Sequence, residues 1–248
     1  MIARLIIAAA FGLLLPGIAG AAEIKLLASR AVSMAYLELI PRFETASGHK
    51  VSATWANTPE IQKRIAAGEA FDLFILGDEG TRELVKQGKF AAGNSVNFAK
   101  SRIGVAVRAG APRPDVGSSA AVKKSVLAAK SVAYSGGASG IYIARMFEKL
   151  GISEEVKAKT VRMKPGEAVG EVVARGDAEI GFHQVSELMP VKGIQYLGPL
   201  PADLQHITVF TGGIHSGAKE KPAAEALVKF LTAPAAANTI KKHGLEPG

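Results

Sequence analysis

Three stretches of the chain combine serine or threonine hydroxyls with small residues where a strand-type run passes into a helical pattern. They are residues 28–31 (ASRA), 56–58 (ANT) and 136–140 (GGASG). The first N–H groups of a helix lack partners within the helix and carry the positive end of its dipole, so they attract anions. Each stretch alone is more typical of a turn or a helix cap. Three of them in one chain predict a composite site for a small anion.

Residue types that support covalent catalysis or metal binding are absent or scattered. The chain has no cysteine, which excludes disulfides, thiol nucleophiles and thiolate metal sites. Its five histidines show no H-x-x-x-H spacing, and the glycine-rich stretch lacks the dinucleotide pattern G-x-G-x-x-G. No G-x-S-x-G elbow or phosphate-binding P-loop is present. We therefore expect no cofactor, no bound metal and no catalytic residue.

The first 22 residues are typical of a secretory signal peptide. Arg4 supplies a short basic region, residues 5–15 form an apolar run, and small residues follow at 19–22. The apolar run is too short to span a bilayer comfortably. We expect an exported, periplasmic protein whose mature part, residues 23–248, is large enough to bury a core without disulfides.

The net charge is modest and spread along the chain. Removing Arg4 with the predicted signal peptide lowers the formal net charge from +8 to +7. Basic residues are scattered and lack the interleaved aromatic residues used in single-strand binding, so we expect no nucleic-acid partner. The charge supports attraction of a small anion.

The elements that must position the three junctions alternate between strand and helix. Strand patterns at 24–27, 51–55 and 71–76 are each followed by a helical pattern, which predicts a parallel sheet with flanking helices. Pro41 falls inside the first helical pattern and predicts a kink or a break there.

A second alternating unit follows the Pro/Gly/Ser-rich stretch 110–119. It predicts a helix at 120–129, a strand at 131–134, a loop and helix ending at Leu150, a helix at 167–175 and a strand at 179–182. Two α/β lobes of mainly parallel sheet are therefore expected, joined by two hinge crossovers near 101–108 and 205–213. The predicted domains are residues 23–103 with 209–248 for lobe 1, and 104–208 for lobe 2.

Longer motifs resemble a known family over essentially the whole mature chain. They include residues 55–58 (WANT), 67–75 (AGEAFDLFI), 138–142 (ASGIY), 176–181 (GDAEIG) and 230–236 (FLTAPAA). With strand one ending in Ala28–Ser29, these motifs resemble the molybdate-type periplasmic solute-binding proteins of ABC importers. That resemblance implies a two-lobed venus-flytrap fold, a small anionic ligand, an inner-membrane ABC permease as partner, and a monomer.

The resemblance also implies which residues contact the ligand. In that family neutral hydroxyls and backbone N–H groups hold the oxyanion at such junctions, which agrees with the physics of oriented dipoles. Ser29 and Thr58 match the hydroxyls of the first two junctions. Ser139 matches the third through its backbone N–H, and Gly166 matches a backbone contact before the next helix.

Two departures from the family pattern leave the ligand open. Molybdate binders commonly carry a tyrosine after the turn at Gly181, whereas this chain has Phe182–His183–Gln184, and Gln184 joins the predicted site. Arg30 stands where the family usually has an uncharged residue. An arginine suits a bidentate carboxylate better than a site of neutral donors. Its alternative interpretation is a surface residue in the first turn of a helix.

A second function class remains open at this point. Some proteins that resemble this family are periplasmic enzymes, and aconitate isomerase is an example. An allylic proton shift on a tricarboxylate requires a cation such as Arg30 together with a general acid or base. His183, Glu187 and Tyr142 are the candidates for that role, although the sequence alone does not show that they converge.

Overall fold

The computed structural model describes residues 20–90, 92–164 and 166–248. The signal peptide predicted for residues 1–22 falls almost entirely outside the described residues. Within these three ranges, no helix combines the length and the apolar character needed to cross a membrane.

Strands and helices alternate along most of the chain. In chain order the strands are β1 (Glu23–Ser29), β2 (Lys50–Ala56), β3 (Leu73–Gly77), β4 (Val96–Arg108), β5 (Val132–Tyr134), β6 (Ile180–Gln184), β7 (Ile194–Pro199), β8 (Ile207–Ile214) and β9 (Glu246–Pro247). The helices are α1 (Ser33–Ser47), α2 (Thr58–Ala66), α3 (Asp78–Lys86), α4 (Ser119–Ala128), α5 (Ala138–Lys149), α6 (Ser153–Ala158), α7 (Val169–Arg175), α8 (Val185–Leu188), α9 (Lys221–Thr232) and α10 (Ala237–Lys242).

The strands form two sheets that share β4. The first sheet has the order β2-β1-β3-β8-β4, with β1 parallel to both β2 and β3, and β8 antiparallel to β3 and β4. In the second sheet β4 lies between β7 and β6, antiparallel to both, and β5 pairs parallel with β6. The α/β, two-sheet architecture matches the sequence prediction. The sheets are mixed, however, so the prediction of mainly parallel sheets was wrong in detail.

Strand β4 links the two halves of the molecule. Its residues up to Arg102 pair with β8 of the first sheet, and from Ile103 onward it pairs with β6 and β7 of the second. In the sequence, only residues 103–107 (IGVAV) show the apolar run typical of a strand. Lys100, Ser101 and Arg102 interrupt the apolar pattern in the preceding part, where pairing with β8 and β9 fixes the extended backbone instead.

Each sheet has helices packed on both of its faces, and each half of the molecule has its own hydrophobic core. The first sheet packs one face against α1, α9 and α10, where Tyr36, Phe43 and Phe210 are buried, and the other against α2 and α3. The second sheet packs against α4, α5 and α6 around Phe147 and Phe182, and against α7 on its opposite face. Burial of these apolar side chains is the main favourable term that holds each half together.

Several local predictions need correction. Helix α1 continues through Pro41, so of the kink or break expected there the break is wrong. Helix α5 begins at Ala138, so Ser139 and Gly140 belong to its first turn rather than to a loop. The short elements α6, α8 and β9 were not predicted, because each is too short to show a periodic apolar pattern.

Candidate functional site

The structure brings the six predicted site residues onto one cleft. This cleft has a volume of about 280 Å³ and lies between the carboxyl ends of strands from the two sheets. Its lining includes Ser29, Arg30, Thr58, Ser139, Gly166 and Gln184. That these residues contact a ligand stays a prediction.

The first junction follows β1. The strand ends at Ser29, and residues Arg30–Val32 form a short 3-10 turn before α1. Ser29 is buried, and its Oγ accepts a hydrogen bond from the Ala31 N–H at 3.3 Å. Because an accepting hydroxyl still carries its own proton, Ser29 can donate that proton to an anion in the cleft.

Arg30 is exposed, and its side chain reaches across the cleft. Its Nη1 donates to the Gly166 carbonyl oxygen at 2.7 Å, joining the loop after β1 to the segment before α7. Gly166 has φ +80°, a left-handed conformation that suits glycine and sets the direction of this carbonyl. The guanidinium has five N–H donors, so this bond leaves others that can bind a carboxylate side-on.

The second junction follows β2 and begins α2. Asn57 caps the helix, because its Oδ1 accepts from the Glu60 N–H at 2.9 Å. Thr58 is buried, and its Oγ1 accepts from the Gly77 N–H at 3.1 Å. Thr58 thus ties α2 to the end of β3, and its hydroxyl proton remains free for a ligand.

The third junction begins α5 in the second half of the molecule. Ser135 Oγ accepts from the Gly137 N–H at 3.2 Å and lies 3.2 Å from Ser139 Oγ. No side chain caps the first turn of α5, so its N–H groups are available at the cleft. A Cβ on Gly140 would lie 1.4 Å from the Ser135 carbonyl oxygen, so this tight turn requires glycine.

The end of β6 adds a fourth group of polar residues. Gln184 is buried and donates from Nε2 to Thr208 Oγ1 at 2.9 Å, while its Oε1 has no hydrogen-bond partner among the described residues. His183 is also buried, and its Nε2 lies 3.4 Å from Oε2 of Glu187 in the following helix α8. Both His183 and Glu187 line the cleft.

Tyr142 lies elsewhere. Its hydroxyl donates to the Leu204 carbonyl at 3.0 Å, and its ring stacks on His206 with centroids 4.6 Å apart. Burial raises the pKa of this phenol above its usual value. Tyr142 is not among the residues that line the cleft, so the interpretation of Tyr142 as an acid or base there was wrong.

Sequence reasoning missed two charged lining residues, Lys164 and Glu167. The Glu167 carboxylate accepts from the Lys164 backbone N–H at 2.9 Å and pairs with Arg175, and these two contacts hold its pKa below the usual range. Lys164 is one of the scattered basic residues that the sequence analysis did not connect with the site. The available signal was the sequence of residues 164–167 (KPGE) just before a helical pattern.

The charges and dipoles of the cleft favour a small anion. Arg30 and Lys164 supply positive charge, Glu187 adds one negative charge, the negative charge of Glu167 is compensated by Arg175, and hydroxyls and free N–H groups surround the space. Neutral donors and helix N-termini hold desolvated anions well. Across the described ranges, no group of three His, Asp or Glu side chains is placed to hold a metal ion.

Comparison with known proteins decides the family. Residues 24–246 match the family described as bacterial extracellular solute-binding protein. The chain belongs to this family. Its solute-binding members bind small molecules for ABC-type uptake, and their extracytoplasmic location is consistent with the predicted export.

Individual relatives differ in their named roles. The chain is 37% identical over 230 residues to an aconitate isomerase of Pseudomonas sp, covering 90% of this chain and 87% of that protein. It is 29% identical to the molybdate-binding protein ModA of Azotobacter vinelandii, covering 98% and 97% of the two chains. The solved structure of the periplasmic molybdate-binding protein of Azotobacter vinelandii superposes with a TM-score of 0.74 at 20% identity, covering 90% and 98%. The resemblance to molybdate-type binding proteins and the two-lobed fold are thereby confirmed.

Proposed function

We propose that the protein captures a small organic carboxylate between its two lobes in the periplasm and delivers it, as a monomer, to an ABC permease. Arg30 carries this proposal, because it brings a guanidinium into the cleft beside the hydroxyls of Ser29 and Thr58. Bidentate pairing with a carboxylate uses the planar geometry of the guanidinium, whereas a metal oxyanion site of neutral donors has no need of it.

Ligand binding is proposed to close the two lobes around the cleft. We place the hinge at the two crossovers, with residues 23–103 and 209–248 in one lobe and 104–208 in the other. The transfer of β4 from one sheet to the other after Arg102 supports this division. A ligand that bridges the lobes needs to bind the closed form only a few kcal/mol more tightly than the open form.

A thermal-shift screen tests this proposal. The ligands are molybdate, tungstate, sulfate, citrate and both isomers of aconitate. A ligand at one hundred times its dissociation constant stabilises the folded state by about 2.7 kcal/mol, which raises the melting temperature by several degrees. We expect carboxylates to raise it. Stabilisation by molybdate or tungstate alone would contradict the carboxylate proposal and favour an oxyanion ligand.

The second candidate function is isomerisation of a small unsaturated tricarboxylate in the same cleft. Two observations favour it: the 37% identity to an aconitate isomerase, and the presence of two titratable side chains, His183 and Glu187, beside the proposed carboxylate site. Incubation of cis-aconitate with the protein, followed by chromatography, tests it. Accumulation of the trans isomer supports the enzyme. An unchanged substrate in the presence of measured binding leaves solute capture as the function.

A further inference from the structure

His183 and Glu187 form a pair whose environment is unusual for a structural contact. Both line the cleft, and the His183 side chain is 7% exposed whereas that of Glu187 is 18% exposed. Nδ1 of His183 is fully buried and has no hydrogen-bond partner among the described residues. Nε2 is therefore the ring nitrogen that can serve a ligand, and it is the one that lies 3.4 Å from Glu187 Oε2.

The local fold explains how the two side chains meet at the cleft. His183 is the fourth residue of β6, and Glu187 lies in the single turn of α8 that follows directly. Gln184 has a non-helical backbone with φ -56° and ψ 136°, and the change from strand to helix at this residue leaves the two side chains 3.4 Å apart. A buried imidazole with one unpaired nitrogen costs free energy, so a pair kept only for stability would have both nitrogens bonded.

We propose that Glu187 and His183 are a proton-transfer pair that moves a carbon-bound hydrogen of a carboxylate held by Arg30. The proposal rests on the proposed binding of a carboxylate in this cleft. It assigns the substrate to the class of unsaturated di- or tricarboxylates that have a CH₂ group next to a conjugated carbon–carbon double bond. In such compounds the hydrogens of the CH₂ group are more acidic, because the carbanion that forms on their removal is delocalised onto the carboxylates.

The step balances without a co-reactant. The more exposed Glu187 takes the proton from the CH₂ group, and the C–H electron pair enters a π system that extends over the double bond and a carboxylate. Arg30 stabilises the negative charge that develops there. The proton, passed between Glu187 Oε2 and His183 Nε2, returns to the far carbon of the allylic unit and forms a new C–H bond. The double bond has then moved by one position, and no group is oxidised or reduced.

Deuterium incorporation tests the pair separately from ligand binding. The mature protein is incubated with trans-aconitate in D₂O, and loss of its C–H signals is followed by NMR. The same samples are measured for the rise in melting temperature with trans-aconitate. We expect the wild type to incorporate deuterium, and Glu187→Gln to slow incorporation by about 100-fold or more while keeping the thermal shift. His183→Gln should also slow incorporation.

Glu154→Gln is the matched control, because Glu154 is an exposed glutamate on α6 that does not line the cleft. It should leave both readouts unchanged. A wild type that shows the thermal shift without deuterium incorporation overturns the proton-transfer pair and leaves the binding function intact. Deuterium incorporation at the wild-type rate in both Glu187→Gln and His183→Gln also overturns the pair and leaves the binding function intact. A wild type with no thermal shift overturns the carboxylate-binding function and, with it, the pair.

Discussion

The two halves of the cleft are built from different chemical groups. The first half, built on the sheet β2-β1-β3-β8-β4, contributes the hydroxyls of Ser29 and Thr58 and the cation of Arg30. Each hydroxyl already accepts a hydrogen bond within that half, Ser29 from the Ala31 N–H and Thr58 from the Gly77 N–H. The second half contributes the uncapped first turn of α5 and the titratable pair His183 and Glu187. One side is equipped to hold an anion, and the other also has groups that can move a proton.

The location of unpaired buried polar atoms strengthens this contrast. Three of them follow one another at the end of β6 and in α8: His183 Nδ1, Gln184 Oε1 and Ser186 Oγ. The first half has one such atom among the described residues, the hydroxyl of Tyr36, whose pKa is raised by burial. Unpaired buried polar groups are rare and costly, and they concentrate at functional sites. Two of these atoms, His183 Nδ1 and Gln184 Oε1, belong to side chains that line the cleft.

The largest effect should come from Gly140→Ala, which breaks the second half alone. A Cβ at this position meets the Ser135 carbonyl carbon and oxygen at 2.5 and 1.4 Å, so the start of α5 must move. We expect a loss of about 3 kcal/mol or more in the free energy of unfolding, together with loss of ligand binding. Urea denaturation and a ligand titration measure the two effects. Gly136→Ala is the control for stability alone, because its Cβ has no neighbour within 4 Å, and equal losses of stability in both variants would contradict the account.

The next largest effect should distinguish a ligand contact made by a side-chain hydroxyl from one made by a backbone N–H. Thr58→Val keeps the shape but removes the acceptor of the buried Gly77 N–H, which costs about 1–3 kcal/mol of stability. It also removes a proposed ligand donor, so affinity should fall several-fold. Ser139→Ala keeps the backbone N–H proposed to bind the ligand, and calorimetry should show a change in affinity of less than about threefold. The reverse order would show that the second half binds through its hydroxyl.

The smallest expected effect is on stability, and it comes from Glu38, a charged residue that does not line the cleft. Hydrogen bonds from Lys242 and His243 on the C-terminal segment lower the pKa of Glu38 on α1 to about 2. Because the folded-state pKa lies below the ordinary value, this carboxylate stabilises the protein above about pH 5, and the contribution disappears as the pH falls toward 2. Urea midpoints for wild type and Glu38→Gln should differ slightly at pH 7 and converge near pH 2. A gap that widens in acid would contradict this assignment, and ligand affinity at pH 7 should not change.

Local signals predicted the first half better than the second. A helix cap at Asn57 or Thr58 and the buried run of β3 both follow from short-range pattern, and in the structure Asn57 is the cap of α2 and β3 is fully buried. Helix α5 was expected to begin later, because three glycines suggested a loop. The chain instead turns sharply enough for Ser135 and Ser139 to meet, so Gly140 serves a close approach within the first helical turn.

Long-range contacts account for what the sequence could not provide. That the junctions meet at one cleft followed from the rule that ligands bind at the carboxyl ends of strands and from the family resemblance. The bond from Arg30 to Gly166 joins residues 136 positions apart, and its direction depends on a left-handed backbone at Gly166. The position of Tyr142 could not be predicted for the same reason, because its hydroxyl bonds to the distant Leu204 carbonyl and does not face the cleft.

Calorimetric titration of wild type and Arg30→Gln with trans-aconitate and with molybdate tests the central claim most directly. If Arg30 holds a carboxylate, the wild type binds trans-aconitate, and the variant loses about 10- to 100-fold in affinity, as expected for a hydrogen bond to a charged group worth about 1.5–3 kcal/mol. Arg82→Gln, an exposed arginine on α3 paired with Asp78, controls for the loss of one positive charge. Equal affinity of wild type and Arg30→Gln for trans-aconitate, or tight binding of molybdate alone, would contradict the claim.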